Sequence, residues 1–160
     1  MKISAKNRII SFCDALGARR PSPGGGAAAA LTGAVGAALI IKVANFTIGK
    51  KKYKKYEKKA KSIARKATSL RDRLNAHIEK DAKVYNKYAE TRSQDSLKRA
   101  AACVAEIAKL SKDAGKLCGI LKKIGTRHLK GDLYVAEALL SASERSADNL
   151  VRLNKKRIGR

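Results

Sequence analysis

The chain has 160 residues, with 37 Lys and Arg against 13 Asp and Glu, for a formal net charge of +24. That length predicts one domain over 1–160, able to bury about two-thirds of its unfolded surface without staples. Three widely separated cysteines (Cys13, Cys103, Cys118) argue against a disulfide framework, and two distant histidines (His77, His128) against a histidine metal site.

The charge predicts attraction to something anionic: nucleic acid, an acidic membrane surface or a polyanionic small ligand. An aromatic content of 4% weakens single-strand binding by base stacking.

The N-terminal stretch lacks a signal-peptide apolar region and cleavage site, so a cytoplasmic location is expected. Ile9, Phe12, Cys13 and Leu16 recur at helical spacing and predict an amphipathic helix from about Ala5 to Gly17, packed across the next helix. Pro21 and Pro23 bring the chain in extended at Gly24, Gly25 and Gly26, where a helix can start. Glycines there let unpaired first-turn N–H groups approach an anion closely, although a flexible turn explains the triplet equally well.

The run that follows carries no charge before Lys42 and is rich in Ala and Gly. It reaches the length of a membrane span, but few of its residues seek lipid strongly, and Lys42 and Asn45 oppose insertion. The buried centre of a helical bundle is the better reading, with no membrane involved. Lys50 to Lys66 concentrates the positive charge around a single Glu57.

From Lys51 to about Glu90 a long helical seam reads Tyr53, Tyr56, Ala60, Ile63, Ala67, Leu70, Leu74, His77, Asp81, Val84, Tyr88. A carboxylate on a buried seam must be paired, hydrogen-bonded or shifted in pKa, which is how a catalytic acid or base is often made. Drift of the seam onto Ile78, Ala82 and Tyr85 would instead leave Asp81 at its edge. His77 reads as an interior or edge histidine.

Ser93 is an N-cap signal for a further helix reaching Ile124, which Gly125 can close. After the loop at 126–131, Asp132 either caps the last helix or points into a site. Leu133 to Leu153 supply that helix's apolar side, and the tail from Lys155 is expected to fray. No segment alternates with period two, so an all-α protein is predicted.

PSPGGG, AALTGAVGAALI and VANFTIGKKKY, in this order and spacing, resemble the signature of the cyclodeaminase/cyclohydrolase family. Glu79-Lys80-Asp81-Ala82 with Tyr85, Gly131-Asp132 with Val135-Ala136, and Val151-Arg152-Leu153-Asn154 support the likeness. The resemblance implies an up-and-down bundle of long antiparallel helices that dimerises, with folate near the subunit interface. It implies either of two reactions: hydrolysis of 5,10-methenyltetrahydrofolate to 10-formyltetrahydrofolate, or cyclisation of 5-formiminotetrahydrofolate with release of ammonia. No cofactor beyond the tetrahydrofolate substrate is implied, and no metal.

Carried onto this sequence, the resemblance makes Asp81 the base and cation stabiliser, with Asp132 assisting. It assigns substrate binding to Gly24, Gly25, Gly26, Asn45, Lys50, Lys51 and Lys52, the lysines holding the carboxylates of a folate that can be polyglutamylated. Ala27 stands where the family usually carries a hydroxyl, and Gly131 where it carries Ser. The alternative from another class is a non-catalytic helical protein that binds nucleic acid or another polyanion through its basic surface.

Overall fold

The computed structural model describes residues 5–158, and among them every regular element is helical. The α-helices are α1 (Ala5–Gly17), α2 (Gly25–Thr47), α3 (Glu57–Thr91), α4 (Gln94–Ile124) and α5 (Lys130–Ile158). Short 3₁₀ turns at Lys51–Tyr56 and Arg127–Leu129 precede α3 and α5.

Helix α2 is the axis of the molecule and packs against α3, α4 and α5. Its small residues permit this. A Cβ on Gly33 would come 2.7 Å from Ser111 Oγ and 2.8 Å from Ser143 Oγ. Those two hydroxyls lie 2.8 Å apart, and Ser143 donates onward to the Ala29 carbonyl at 2.7 Å. Three helices are thereby joined by a buried polar chain whose members are all satisfied. At Gly36 a Cβ would meet Leu140 Cγ at 2.8 Å and the Ala136 carbonyl at 3.2 Å. Gly36→Ala is therefore expected to destabilise by about 1–3 kcal/mol through overpacking, read as a lowered Tm in thermal denaturation.

By length and composition α2 could cross a bilayer. Here many of its apolar residues find protein partners: Ile40 and Val43 join Ile63, Leu121, Leu133 and Leu140 in one core cluster, and Ala30 and Ala34 join Leu74, Ile107 and Leu110 in the other, while Val35 and Phe46 stay exposed. Gly26 meets Asp81, and Gly33 meets Leu74, so α2 and α3 run in opposite directions. Gly25 near Leu150, Gly36 near Leu140 and Lys42 paired with Asp132 show the same for α2 and α5.

Two expectations are corrected. Helix α1 forms over the predicted span but packs extensively against none of the other helices, and Ile9 is 62% exposed. Helices α3, α4 and α5 cover the buried sides of α2, and its remaining apolar side, with Val35 and Phe46, stays exposed rather than receiving α1. The second concerns Lys51–Tyr56, which is a 3₁₀ turn rather than the first turns of α3. At three residues per turn Tyr53 and Tyr56 fall on one side, and the Tyr53 hydroxyl accepts a hydrogen bond from the Arg127 N–H at 3.1 Å.

Elsewhere the punctuation follows the sequence. Ser93 caps α4 by accepting from the Ser96 N–H at 3.1 Å, and Gly125 ends it. Asp132 does not cap α5. It lies in the first turn, where its charge suits the helix dipole, and pairs with Lys42 at 2.8 Å.

Candidate functional site

The seam of α3 stays on Asp81 through its polar stretch: Leu74, His77 and Asp81 are buried, whereas Tyr85 is exposed. One turn of spacing stacks His77 and Asp81 on the same face. That face meets the N-terminus of α2, where Gly26 leaves the space that the Asp81 carboxylate fills. A Cβ on Gly26 would lie 2.5 Å from Asp81 Oδ2. The next residue matters for its backbone: the Ala27 N–H hydrogen-bonds to the Asp81 carboxylate. A first-turn amide of α2 thus supplies a donor where Ala27 has no hydroxyl to offer.

Burial pushes the Asp81 carboxyl above the ordinary aspartate range, and the Ala27 hydrogen bond and neighbouring His77 pull it partly back. The result is a desolvated carboxyl held by one backbone donor, able to take or give a proton nearer neutrality than a surface aspartate. His77 is fixed in turn. Its Nδ1 lies 2.8 Å from the Arg73 carbonyl, so Nδ1–H donates there, and Nε2 is buried without a hydrogen-bond partner. Cys103 is also buried near this carboxylate. Its thiol is pushed up to about 11, first by burial and then by the Asp81 charge, so it stays protonated at neutral pH.

Asp81 opens onto a cleft of about 250 Å3 between the start of α2 and the end of α5. Ala100 and Val104 of α4 and Leu150 and Leu153 of α5 form its apolar walls; Tyr85, Asn154 and Arg157 bring polar groups. An apolar pocket with a few convergent polar groups and a perturbed carboxyl fits a ligand site. Among the described residues no three His, Cys, Asp or Glu gather as metal ligands.

The residues singled out in the sequence divide between the two ends of α2. Gly24, Gly25, Gly26 and Asp81 share the cleft. Asn45 is exposed near the other end, about 28 Å from Gly26 along the helix at 1.5 Å per residue. Lys50, Lys51 and Lys52 are exposed just beyond it, Lys50 Nζ lying 3.5 Å from Thr126 Oγ1. Asp132 pairs with Lys42, about 24 Å along α2 from Gly26. Within one chain, therefore, Asp132 and Asp81 do not face one reacting atom.

Sequence reasoning missed Arg157, which it left in a fraying tail. Helix α5 continues to Ile158, and Leu150, Leu153, Asn154 and Arg157 line the cleft together. Their i, i+3, i+4, i+7 spacing was the available signal.

The family model described as formiminotransferase-cyclodeaminase matches residues 8–159. The chain is 37% identical over 121 residues to the methenyltetrahydrofolate cyclohydrolase of Methylorubrum extorquens, covering 72% of this chain and 58% of that protein. It thus spans somewhat over half the length of that curated relative. Its fold superposes on the crystal structure of formiminotetrahydrofolate cyclodeaminase from Thermotoga maritima with a TM-score of 0.90 and 30% identity, covering 98% of this chain and 80% of the other. With its apolar cleft, buried carboxyl and glycine-opened helix set within a match of nearly full length, the chain belongs to the formiminotransferase-cyclodeaminase family.

Proposed function

We propose that the protein is a folate one-carbon enzyme that hydrolyses 5,10-methenyltetrahydrofolate to 10-formyltetrahydrofolate, with Asp81 as its proton-transferring group. The observation that carries this reading is the Asp81 carboxylate, buried over Gly26 at the mouth of an apolar cleft. The 37% identity to a cyclohydrolase favours this reaction.

The methenyl bridge is a cation shared between N5 and N10. When it enters the cleft its charge opposes the effect of burial and favours ionised Asp81. Water adds to the bridge carbon as the carboxylate takes one of its protons. Addition discharges the cation, so the carboxyl becomes the stronger proton holder and then the donor. As the bond from carbon to N5 breaks, Asp81 protonates N5, and the hydroxyl on carbon gives its proton to solvent, leaving the formyl carbonyl on N10 with one proton released overall.

The walls formed by Val104, Leu150 and Leu153 keep bulk water from competing for the carboxylate. The volume admits only part of the substrate. Arg157 is the cation at the cleft, and we assign it the folate's glutamate carboxylate.

Cyclodeamination is the second reading, favoured by the structural likeness to the Thermotoga enzyme. There N10 attacks the formimino carbon and the departing nitrogen is protonated, so the same carboxyl removes one proton and returns one. Two assays on the purified protein separate the readings: loss of methenyl absorbance with water as co-substrate, and ammonia release from the formimino substrate. If neither proceeds faster than in buffer with folded protein, both readings fail.

In this reading α2 to α5 form an up-and-down bundle that dimerises. The exposed apolar residues Ile9 and Ile10 on α1, Val35 and Phe46 on α2 and Val135 on α5 provide the contact surface. A second copy lying antiparallel along α2 is also the arrangement that would bring an Asp132 end to an Asp81 cleft. Ile9→Glu with Val35→Glu is expected to halve the mass seen by sedimentation equilibrium. An unchanged dimer would remove this surface from the proposal.

A further inference from the structure

At the end of α2 remote from Asp81 in the same chain lies a second, larger cleft. Its volume is about 610 Å3, and six cationic side chains line it: Lys52, Lys55, Lys122, Lys123, Arg127 and Lys130. No Asp or Glu lines it. Among the described residues, Lys122 alone of the six is in an ion pair, with Glu137 at 2.8 Å, and Lys52, Lys123 and Arg127 have no carboxylate partner. Lys55 rests over the Tyr56 ring and Lys130 over Tyr134, contacts that leave their charges uncancelled.

The frame beneath these charges is rigid. Thr126 is buried and its N–H donates to Thr47 Oγ1 at 3.0 Å, while Thr47 donates to the Val43 carbonyl at 2.8 Å. One residue on, the Arg127 N–H donates to the Tyr53 hydroxyl. The loop between α4 and α5 is thus pinned at consecutive residues to the end of α2 and the 3₁₀ turn. Like charges held in a shared concavity repel one another and weaken the fold unless an anion joins them. Here they are held, not splayed.

We propose that this cleft binds a small molecule bearing a chain of phosphates, of the class of a nucleoside di- or triphosphate or inorganic triphosphate. The volume lies within the range of small-molecule sites. A phosphate chain places several charges within a short length, matching cations gathered in one cleft, and lysine ammonium groups bind phosphate as point charges. A nucleic-acid backbone spreads its charges over successive nucleotides rather than gathering them in one cleft. Within one chain the site lies about the length of α2 from the Asp81 cleft, and a triphosphate titration reads it without reference to the folate reading.

The test titrates the full-length protein with inorganic triphosphate by calorimetry near physiological ionic strength, about 0.15 M. One saturable site per chain is expected, with affinity reduced at least roughly tenfold by Lys123→Glu with Arg127→Glu, the loss anticipated for two charge-assisted contacts. Lys98→Glu with Lys109→Glu, an equal charge change on the exposed side of α4, should alter affinity far less. An equal loss in both variants would reduce the effect to net charge and overturn the proposal.

Competition assigns the ligand class. Displacement of triphosphate by an oligoglutamate at equal concentration would make the cleft a polycarboxylate site. Stronger binding of single-stranded RNA, with a salt slope of several phosphates, would make it a nucleic-acid surface. Either result overturns the proposal. Should the cleft variant not fold, lysine acetylation of the unaltered protein decides: triphosphate should protect Lys52, Lys123 and Lys130 but not Lys98, and uniform reactivity would refute the site.

Discussion

Asp81→Asn is expected to lower kcat for methenyl hydrolysis by about 10²–10⁴-fold, the usual contribution of a positioned acid–base group. Asparagine keeps the shape and can still accept the Ala27 hydrogen bond. It loses both the proton transfer and the charge that receives the bridge cation. The pH profile gives a second handle. In the free enzyme burial raises the Asp81 pKa, so kcat/KM should fall on the acid side at a higher pH than for an ordinary aspartate, about 3.9. With the cation bound that pKa is lower, so the acid limb of kcat should lie below that of kcat/KM. Coincident limbs, or an unchanged kcat in the variant, would remove Asp81 from the chemistry.

The same residue makes a stability prediction of opposite sense. A carboxyl whose folded pKa exceeds its unfolded pKa holds more protons when folded, so stability is lost as pH rises from the unfolded value to the folded one. Asparagine does not ionise. Its stability advantage should therefore be small at low pH, grow across that window and level off above it, as followed by urea denaturation at a series of pH values. An inactive variant more stable than the parent at neutral pH would mark the buried charge as retained for function.

Gly26→Ala is the second large effect. The added Cβ would occupy the place of the Asp81 carboxylate, 2.5 Å from Oδ2, so either the carboxylate turns away or α2 and α3 separate. Displacement of a reacting group by about 1 Å can cost roughly 10²-fold, and kcat/KM is expected to fall at least that far. Stability should fall by about 1–3 kcal/mol, the usual cost of overpacking, even though alanine is the better helix former. A double-mutant cycle isolates the cause. In an Asp81→Ala background the obstruction is gone, and Gly26→Ala should become neutral or stabilising. The pair would then be coupled within the range of about 0.5–3 kcal/mol seen for residues in contact. Additive losses would instead place the fault in the backbone at Gly26.

Much of the fold can be read from periodicity and punctuation. The stripe Ile9 to Leu16, the seam Ala60 to Asp81 and the Ser93 cap each act within a few residues, and each marks a helix that the structure contains. The family is likewise legible, because PSPGGG and the small-residue run after it encode a helix that must pass close to its neighbours, and the structure places Gly33 and Gly36 against Ser111 and Leu140.

What the sequence by itself determined is therefore local: helix type, approximate helix ends, the all-α class and a polar interruption of a buried seam at His77 and Asp81. The tertiary structure alone decided which of the chemically apt residues meet. Gly26 and Asp81 lie 55 positions apart in the chain yet touch, whereas Asp132, Asn45 and Lys50 to Lys52 lie near the other end of α2. A stiff helix holds its two ends apart, and the folding back of α3 and α5 chooses which residues reach each end. Arg157 became a cleft residue because α5 runs one turn further than its apolar pattern, and the lysine-rich end became a cleft because buried Thr47 and Thr126 tie the end of α2 to the loop between α4 and α5. Contacts of this kind depend on helix lengths and directions across the whole chain, which no short window of sequence contains.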